Sequence, residues 1–451
     1  MKFIKGILFC FAFLLLLPSG ANAEILDELK SYIQSDYVGT INGDLKKAKS
    51  IDEVMEMLDA YSTYFTAEEF EAYINSIEMT SVGIGVVIEK HEQGIVIMQV
   101  IEGGSAYKAG IKTGDIIVSI NGQSAVDMSV QEASSLILGK KNTAVKIDLL
   151  QNGQTTSKTL VRKSFTVPNV TTELFYGNVG YIHLSSFSED AAPLVKKAYD
   201  KLKKEGAKTF IVDIQNNGGG YVSAAEELIG MFPNTPLAYK LQMADETSVH
   251  KAVKQSVQFP SNTRVLVNRF SASASEMMAA ALVDQETAIL YGEQTYGKGS
   301  MQGFYELSDG SYLKLTIGKF TGPKGSQINE VGVKPQVSTA KPIMTAHFDA
   351  LVSKFSSYKA LSPITVQATK SFTVAFSKDV SSDQLANAIE LVTLGGDTVP
   401  FTMKQQKNKL LITPSKPLTE GAQYMLLVHP SVKDEAGKKL KSGRYVHVTV
   451  K

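Results

Sequence analysis

The hydrophobic period changes three times along the chain. From residue 24 to about residue 77 apolar positions recur at helical spacing. Ile25, Leu26, Leu29 and Ile33 share one face, and Ser50 with Glu53 and Thr66 with Glu69 give two capping-box spacings that open further helices. Helices this short bury too little to stand alone, so they are expected to lie as a cap or arm on a neighbour or on a second subunit. Near Thr80 the period drops to two. β-branched runs at 81–88 and 94–100, a glycine-bounded run within 109–122 and a strand through 145–150 surround one helix, whose apolar face is Val130, Ala133, Leu136 and Ile137.

From Asn178 strands and helices alternate. Strands are predicted at 179–184, 209–214, 265–267 and 288–291, and helices at 190–204, near 223–231 and from the serine cluster 271–275. A glycine turn, Q-N-N-G-G-G, follows the second strand, and a hairpin over 304–307 and 312–317 folds around Ser308, Asp309 and Gly310. This is α/β alternation. After a short helix at 346–358 come strands at 372–376, 409–414, 424–428 and 445–450 with turn-rich intervals, as in a β-sandwich. No internal repeat or low-complexity tract interrupts this order.

Two of these regions resemble known modules. Residues 80–165 resemble a PDZ domain through the glycine loop after Ser81, the G-D-x-I-x-x-I-N-G stretch at 114–122 and the helix that follows. That resemblance implies a receptor for peptide ends. A C-terminal segment would add as a strand beside residues 84–88, with its carboxylate received by main-chain N–H groups of the 81–85 loop, so Val82, Gly83, Ile84, Gly85 and Val86 are the expected binding residues. Residues 362–451, with K-P-L-T-E-G-x-x-Y at 416–424 and D-E-A-G at 434–437, resemble bacterial Ig-like modules. They read as a spacer or binding module.

The 451 residues are 43% hydrophobic and 20% charged, an ordinary composition for about three domains. Residues 1–23 stand apart. Lys2 and Lys5 precede the apolar run 7–17, Pro18 ends it, and Ala21-Asn22-Ala23 is a small-x-small cleavage signal, so a secretory signal peptide is expected. The run falls short of the ~20 residues that a membrane span needs. Its removal takes with it Cys10, the chain's one cysteine, and leaves no thiol for disulfides, metal sites or nucleophilic catalysis. It also takes 2 of the 46 basic residues, leaving 44 against 45 acidic ones; a balance of −1 argues against nucleic acid as the main partner.

Chemistry concentrates between Asn268 and Gln302. A serine hydroxyl needs a base, most often a histidine oriented by a carboxylate. Of six histidines only His183 and His250 fall near the α/β region, and no G-x-S-x-G elbow is present. A Ser-His-Asp triad therefore stays open as one alternative. The other is lysine, which serves as a base once burial lowers its pKa from about 10.4 toward ~7 to 8. Lys298 lies between Gly297 and Gly299, with Tyr296, Met301 and Phe304 available to exclude water and no acid in the seven residues after it. Gln302 can hydrogen-bond the amine without adding charge.

The combination N-x-x-S-A-S-A-S-E at 268–276, G-K-G-x-x-Q at 297–302 and D-I-Q-N-N-G-G-G at 213–220 is similar to the carboxy-terminal processing, or tail-specific, serine peptidases. D-A-Y-S-T-Y-F-T-A-E-E-F at 59–70 resembles that family's N-terminal helical segment, and the likeness covers 24 to about 340. It implies a multidomain α/β plus β chain: signal peptide 1–23, N-terminal helical segment 24–79, inserted PDZ domain 80–165, crotonase/ClpP-like α/β peptidase core 166–345, linker 346–361 and C-terminal Ig-like β-sandwich 362–451. It assigns Ser273 as nucleophile, Lys298 as general base 25 residues on, Gln302 as the residue orienting the lysine, and Gly219 and Ala274 as oxyanion donors. No metal or other cofactor is implied. Expected partners are protein or peptide substrates with exposed C-termini, a cell-surface ligand for the Ig-like region and a second copy through the N-terminal helices, with the protein secreted, periplasmic or in the cell envelope. Gln215, Gly218 and Phe270 depart from the family's arginine, proline and glycine, which would loosen the oxyanion turn and crowd the nucleophile. A PDZ and Ig-like binding protein on a degenerate core, and a crotonase-like acyl-CoA enzyme, are the competing readings.

Overall fold

The computed structural model describes residues 19–151, 153–382 and 385–451, so most of the expected leader, residues 1–18, lies outside the described residues. Two compact units form. The smaller gathers the described chain up to Tyr73 with Gln242–Glu246 and Ser300–Lys319, and the larger holds the remainder.

In the smaller unit the helical face read from the sequence is buried. Ile25, Leu26, Leu29 and Ile33 of helix Ser19–Asp36 share a cluster with Val54, Leu58 and the hairpin residues Leu307, Leu313 and Leu315. The short helices thus find their core partner in a hairpin of the same chain, and strand Thr63–Phe65 joins that hairpin antiparallel, Thr63 opposite Lys314. The Thr66/Glu69 capping box forms, with Glu69 accepting from the Thr66 N–H at 2.8 Å and Thr66 Oγ1 from the Glu69 N–H at 3.3 Å. At the other helix start the Ser50 hydroxyl accepts from the Glu53 N–H at 3.2 Å, but the Glu53 carboxylate takes the Lys49 N–H at 2.7 Å, so only half of that box forms.

In the larger unit, residues 86–161 build a sheet in the order Val86–His91, Gly94–Val100, Ile116–Ile120, Ala144–Gln151, Gln154–Val161, with helix Val130–Ile137 opened by a Ser129/Glu132 capping box. The continuous strand expected at 81–88 is broken in two. Thr80–Gly83 pairs with Lys163–Thr166 in a separate ribbon, and Val86–His91 begins the main sheet. The cause is local. Gly85 takes φ +79, Ile84 is buried in the core, and the Ile84 and Gly85 carbonyls accept from Ala106 at 2.8 Å and Ile101 at 3.0 Å, turning the chain out of line.

The α/β region forms a six-stranded sheet in the order Val170–Phe175, Val179–Leu184, Thr209–Asp213, Arg264–Val267, Ile289–Gly292, Val337–Ser338. Its first pair is antiparallel and the rest are parallel. Arg264–Val267 is buried throughout, as a parallel strand requires. Parallel pairing of Arg264–Val267 with Ile289–Gly292 sends the chain from both strands into loops at the same sheet edge.

The C-terminal region is a two-sheet sandwich. One sheet runs Lys359–Ala360, Arg444–Val450, Gln423–Val428, Ile389–Thr393, with Ile364–Val366 also on Arg444–Val450; the other runs Phe372–Ala375, Lys409–Pro414, Phe401–Gln406. The preceding helix starts at Pro342, four residues before the expected 346, because proline fits its first turn. Its Ala346 and Ala350 pack into the peptidase-region core, while Leu351 joins Val392, Leu394, Met425 and Leu427 of the sandwich. Between them His347 is wholly buried. The Gly395 N–H donates to its Nδ1 at 2.8 Å, so Nε2 carries the proton and donates to the Tyr176 carbonyl at 2.8 Å.

Burial lowers the His347 pKa from 6.5 to about 4, and a second proton would face the Gly395 N–H. The unfolded chain therefore binds more protons between those values. Stability from neutral His347 is whole above about pH 6.5 and falls as pH drops toward 4, by about 3 kcal/mol in the limit. Thermal unfolding should show a lower Tm at pH 5 than at pH 7 in the parent chain, and a smaller difference in His347→Gln.

Candidate active site

Strand Arg264–Val267 leads into a tight turn that separates the three serines by role. Ser271, fully buried, donates its hydroxyl to the Ile214 carbonyl at 2.8 Å and accepts the Asn268 N–H at 3.0 Å. Ser275 donates to the Asn217 carbonyl at 2.8 Å. Ser271 ties the segment to the residue just before the glycine turn 215–220, and Ser275 ties the helix start to the turn itself. Ser273 stands between them with φ +56 and ψ −113, a conformation that a residue with a side chain adopts only when its surroundings impose it. Helix Ala274–Asp284 begins at the next residue, and among the described residues nothing accepts the Ala274 N–H, one of the orphan donors of a helix start.

The imposing group is Glu276, which is 0% exposed. Its carboxyl accepts from the Ser273 N–H at 3.0 Å, the Thr295 hydroxyl at 2.6 Å, the Gly297 N–H at 2.6 Å and the Lys298 N–H at 2.8 Å. One acid thereby holds the backbones of Ser273 and Lys298 at a fixed separation. Sequence reasoning counted no acid close after Lys298 and missed this one, which precedes it by 22 residues. The signal was present as the capping spacing Ser273-x-x-Glu276. Gly297, at φ +98, and Gly299 allow the loop to turn: a Cβ on Gly299 would stand 2.6 Å from the Asn329 nitrogen.

Lys298 itself is half-buried, and Tyr296, a ring expected to keep water from it, is 58% exposed. In the smaller unit, Gln302 donates from Nε2 to the Ser300 hydroxyl at 3.0 Å and the Thr316 hydroxyl at 3.2 Å, neutral partners both. Phe270 is half-exposed with the Arg269 guanidinium 4.9 Å from its ring centre.

The glycine turn meets the serine as expected, but its donor points elsewhere. Gly219 has φ +105, and a Cβ there would lie 2.8 Å from the Ala272 oxygen, 2.9 Å from the Ser273 Cβ and 3.0 Å from the Ala274 nitrogen. Its N–H, assigned to the oxyanion, instead donates to Asn217 Oδ1 at 2.9 Å. Asn217 is fully buried and anchored by its own Nδ2 on the Leu184 carbonyl at 3.0 Å. A short amide side chain two residues back is a local acceptor of the kind that turns favour. Around Gly218 a Cβ would meet open space.

The histidine alternative finds other neighbours. His183 Nε2 lies 3.4 Å from the Ser185 hydroxyl, and Asp213, whose carboxyl burial pushes up, accepts the Tyr181 hydroxyl at 2.7 Å. His250 stacks on Tyr239 with Nε2 3.0 Å from the Ser248 hydroxyl and Nδ1 3.8 Å from Glu226.

At the expected peptide groove, Val82 and Gly83 belong to the Thr80–Gly83 ribbon, and the Val82 carbonyl accepts from the Gly139 N–H at 3.1 Å. Ile84 faces the core and Gly85 makes the turn. Of the five, only Val86 lies on strand Val86–His91, which pairs with Gly94–Val100 on one side and is the end of its sheet. The edge available to an incoming strand is therefore Val86–His91 rather than 84–88.

Comparison with known proteins agrees with this architecture. Residues 178–339 match the family described as Peptidase family S41, 96–151 match the PDZ domain and 357–449 the bacterial Ig-like domain. The carboxy-terminal processing protease CtpA of Bacillus subtilis (strain 168) is 36% identical over 324 residues, 70% of this chain and 69% of that protein. Among solved structures, the photosystem II D1 C-terminal processing protease is 26% identical with a TM-score of 0.47, covering 73% of this chain and 96% of its own. A serine-bearing strand-to-helix turn, a lysine loop on the neighbouring strand, a PDZ domain ahead of them and this degree of identity together mean that the chain belongs to the carboxy-terminal processing serine peptidases.

Proposed function

We propose that the protein is an exported endopeptidase that cleaves proteins by a Ser-Lys dyad and selects them in part by an apolar C-terminal tail. The observation that carries the reading is Glu276, whose carboxyl binds the N–H groups of both Ser273 and Lys298. A dyad needs its two members held without a charge between their reactive atoms, and a carboxyl occupied by backbone donors meets that need.

In the proposed mechanism Lys298, neutral, takes the proton from the Ser273 hydroxyl as Oγ attacks the scissile carbonyl. The tetrahedral oxyanion is met by the Ala274 N–H, and the lysine returns the proton to the leaving amine as the C–N bond breaks. Water, deprotonated by the same lysine, then attacks the ester and regenerates Ser273. The family resemblance assigns Gln302 to orient the lysine, and the core is read as crotonase/ClpP-like. The PDZ domain would receive the tail along Val86–His91, with the carboxylate at the 81–85 loop, and gate access to Ser273.

The Gly219 N–H favours a refinement: the resting enzyme is latent. With that donor on Asn217 the oxyanion site is half-built, and substrate must draw the amide away before full activity. One missing donor of this kind lowers kcat by ~10² to 10³, so slow basal and faster tail-stimulated cleavage are expected.

Three measurements test this. An unfolded protein ending in apolar residues should be cleaved by the parent chain, more slowly when its end is charged, and left intact by Ser273→Ala and by Lys298→Ala; parent activity no greater than that of Ser273→Ala would sink the peptidase reading. Glu276→Gln keeps the shape but places an amide against four donors, so kcat should fall roughly 10- to 100-fold, the worth of one or two bonds to a charged group, while tail-peptide affinity is unchanged. Deleting residues 80–163 should abolish the discrimination between apolar and charged tails, and unaltered discrimination would remove the PDZ domain from substrate choice.

A further inference from the structure

A groove of about 1010 Å³ opens along one flank of the Ig-like sandwich, lined entirely by residues between Leu361 and Val446. Its floor is the sandwich's own core, with Phe372, Val380, Leu426 and Val428 reached between the sheets, and Leu361 and Ile364, 45% and 37% exposed, stand at its mouth. Its rim is basic. Among the described residues seven lysine or arginine side chains line it against one acid, Asp434, which is already 3.3 Å from Lys378. Among the described residues Lys433, Lys438, Lys439 and Lys441 have no ion-pair partner.

One wall is an unpaired strand edge. Among the described residues Phe372–Ala375 pairs with Lys409–Pro414 on one side and ends its sheet on the other. The Phe376 N–H donates to the Asn408 carbonyl at 2.8 Å. Antiparallel alternation then directs the Phe372 and Val374 backbone groups to the same partner and turns N–H and C=O of Thr373 and Ala375 to the open side. Edges not meant for pairing are blunted by charge, proline or a bulge on the strand itself. Phe-Thr-Val-Ala, though short at 4 residues, has none of these, and five of the seven charges stand at 433–444.

We propose that this groove takes an extended polypeptide segment of alternating apolar and acidic residues as an added strand beside Phe372–Ala375. Its apolar side chains enter between the sheets, its carboxylates meet the lysines of 433–441, and its backbone pairs with Thr373 and Ala375. An anionic lipid would use the lysines and the floor but leave the edge unpaired, so the edge decides for polypeptide. The inference stands apart from the chemistry assigned to Ser273.

The test uses residues 24–451 carrying Ser273→Ala, so that probes stay intact, and a fluorescent, C-terminally amidated decapeptide alternating glutamate and valine, which gives the PDZ domain no free carboxylate. Anisotropy should show binding on the order of 10 µM, and hydrogen exchange should slow at the Thr373 and Ala375 amides. Ala375→Pro, which removes one outward N–H at an edge where proline fits, and the combined Lys438→Glu, Lys439→Glu, Lys441→Glu change should each weaken binding at least tenfold. Equal binding of decaglutamate would make this a polyanion site, and binding of phosphatidylglycerol vesicles without the peptide a lipid site. Either result overturns the proposal, as does the absence of binding or of protection at Thr373 and Ala375. Exchange on the chain with an unaltered groove decides the matter if the Ala375 variant does not fold.

Discussion

A carboxyl group that is shut away from water must be given donors, and Glu276 obtains four from two loops that are distant in sequence. Satisfying it requires the start of helix Ala274–Asp284 and the segment Thr295–Lys298 to sit at one place. The sheet supplies the coarse approach: Arg264–Val267 and Ile289–Gly292 are parallel neighbours, so both chains emerge from the same edge. The carboxyl supplies the fine adjustment. Ser273 is held at a backbone angle it would not choose, and the restraint comes from hydrogen bonds that are strong because their surroundings are dry.

The glycine turn 215–220 shows the same economy of packing with a different outcome. Gly219 lies so close to Ala272, Ser273 and Ala274 that no side chain fits there, and Ser271 and Ser275 pin the turn to the helix start. The backbone path is thus fixed, and with it the direction of the Gly219 N–H. Asn217 takes it, and Asn217 is itself anchored to Leu184.

Much of this was legible in the sequence because it rests on periodicity. The buried run in Thr209–Asp213, the glycine turn after it and strands such as Gly94–Val100 follow from local composition. Less was legible where partners are remote. Strand Val170–Phe175, with Thr171, Thr172 and Glu173, was not among the predicted elements, because a strand at a sheet edge needs little hydrophobicity. The break at Gly85 depends on carbonyl partners at Ala106 and Ile101, and no alternation rule reports those. The roles of Glu276 and Asn217 were hidden for the same reason. Both residue types are common at helix starts and turns, and their significance lies in which distant donors reach them.

Helix Pro342–Lys354 belongs to two cores at once, Ala346 and Ala350 in one and Leu351 in the other, with His347 bonded to Tyr176 on one side and Gly395 on the other. A connector built this way transmits loss of structure in both directions. Removing the C-terminal sandwich would strip Leu351 of its cover and His347 of one hydrogen bond, so a truncated chain begins life with a wound in the peptidase region. The sandwich is not a detachable appendage, and gain or loss of such a module by gene fusion would require the helix to be remade with it.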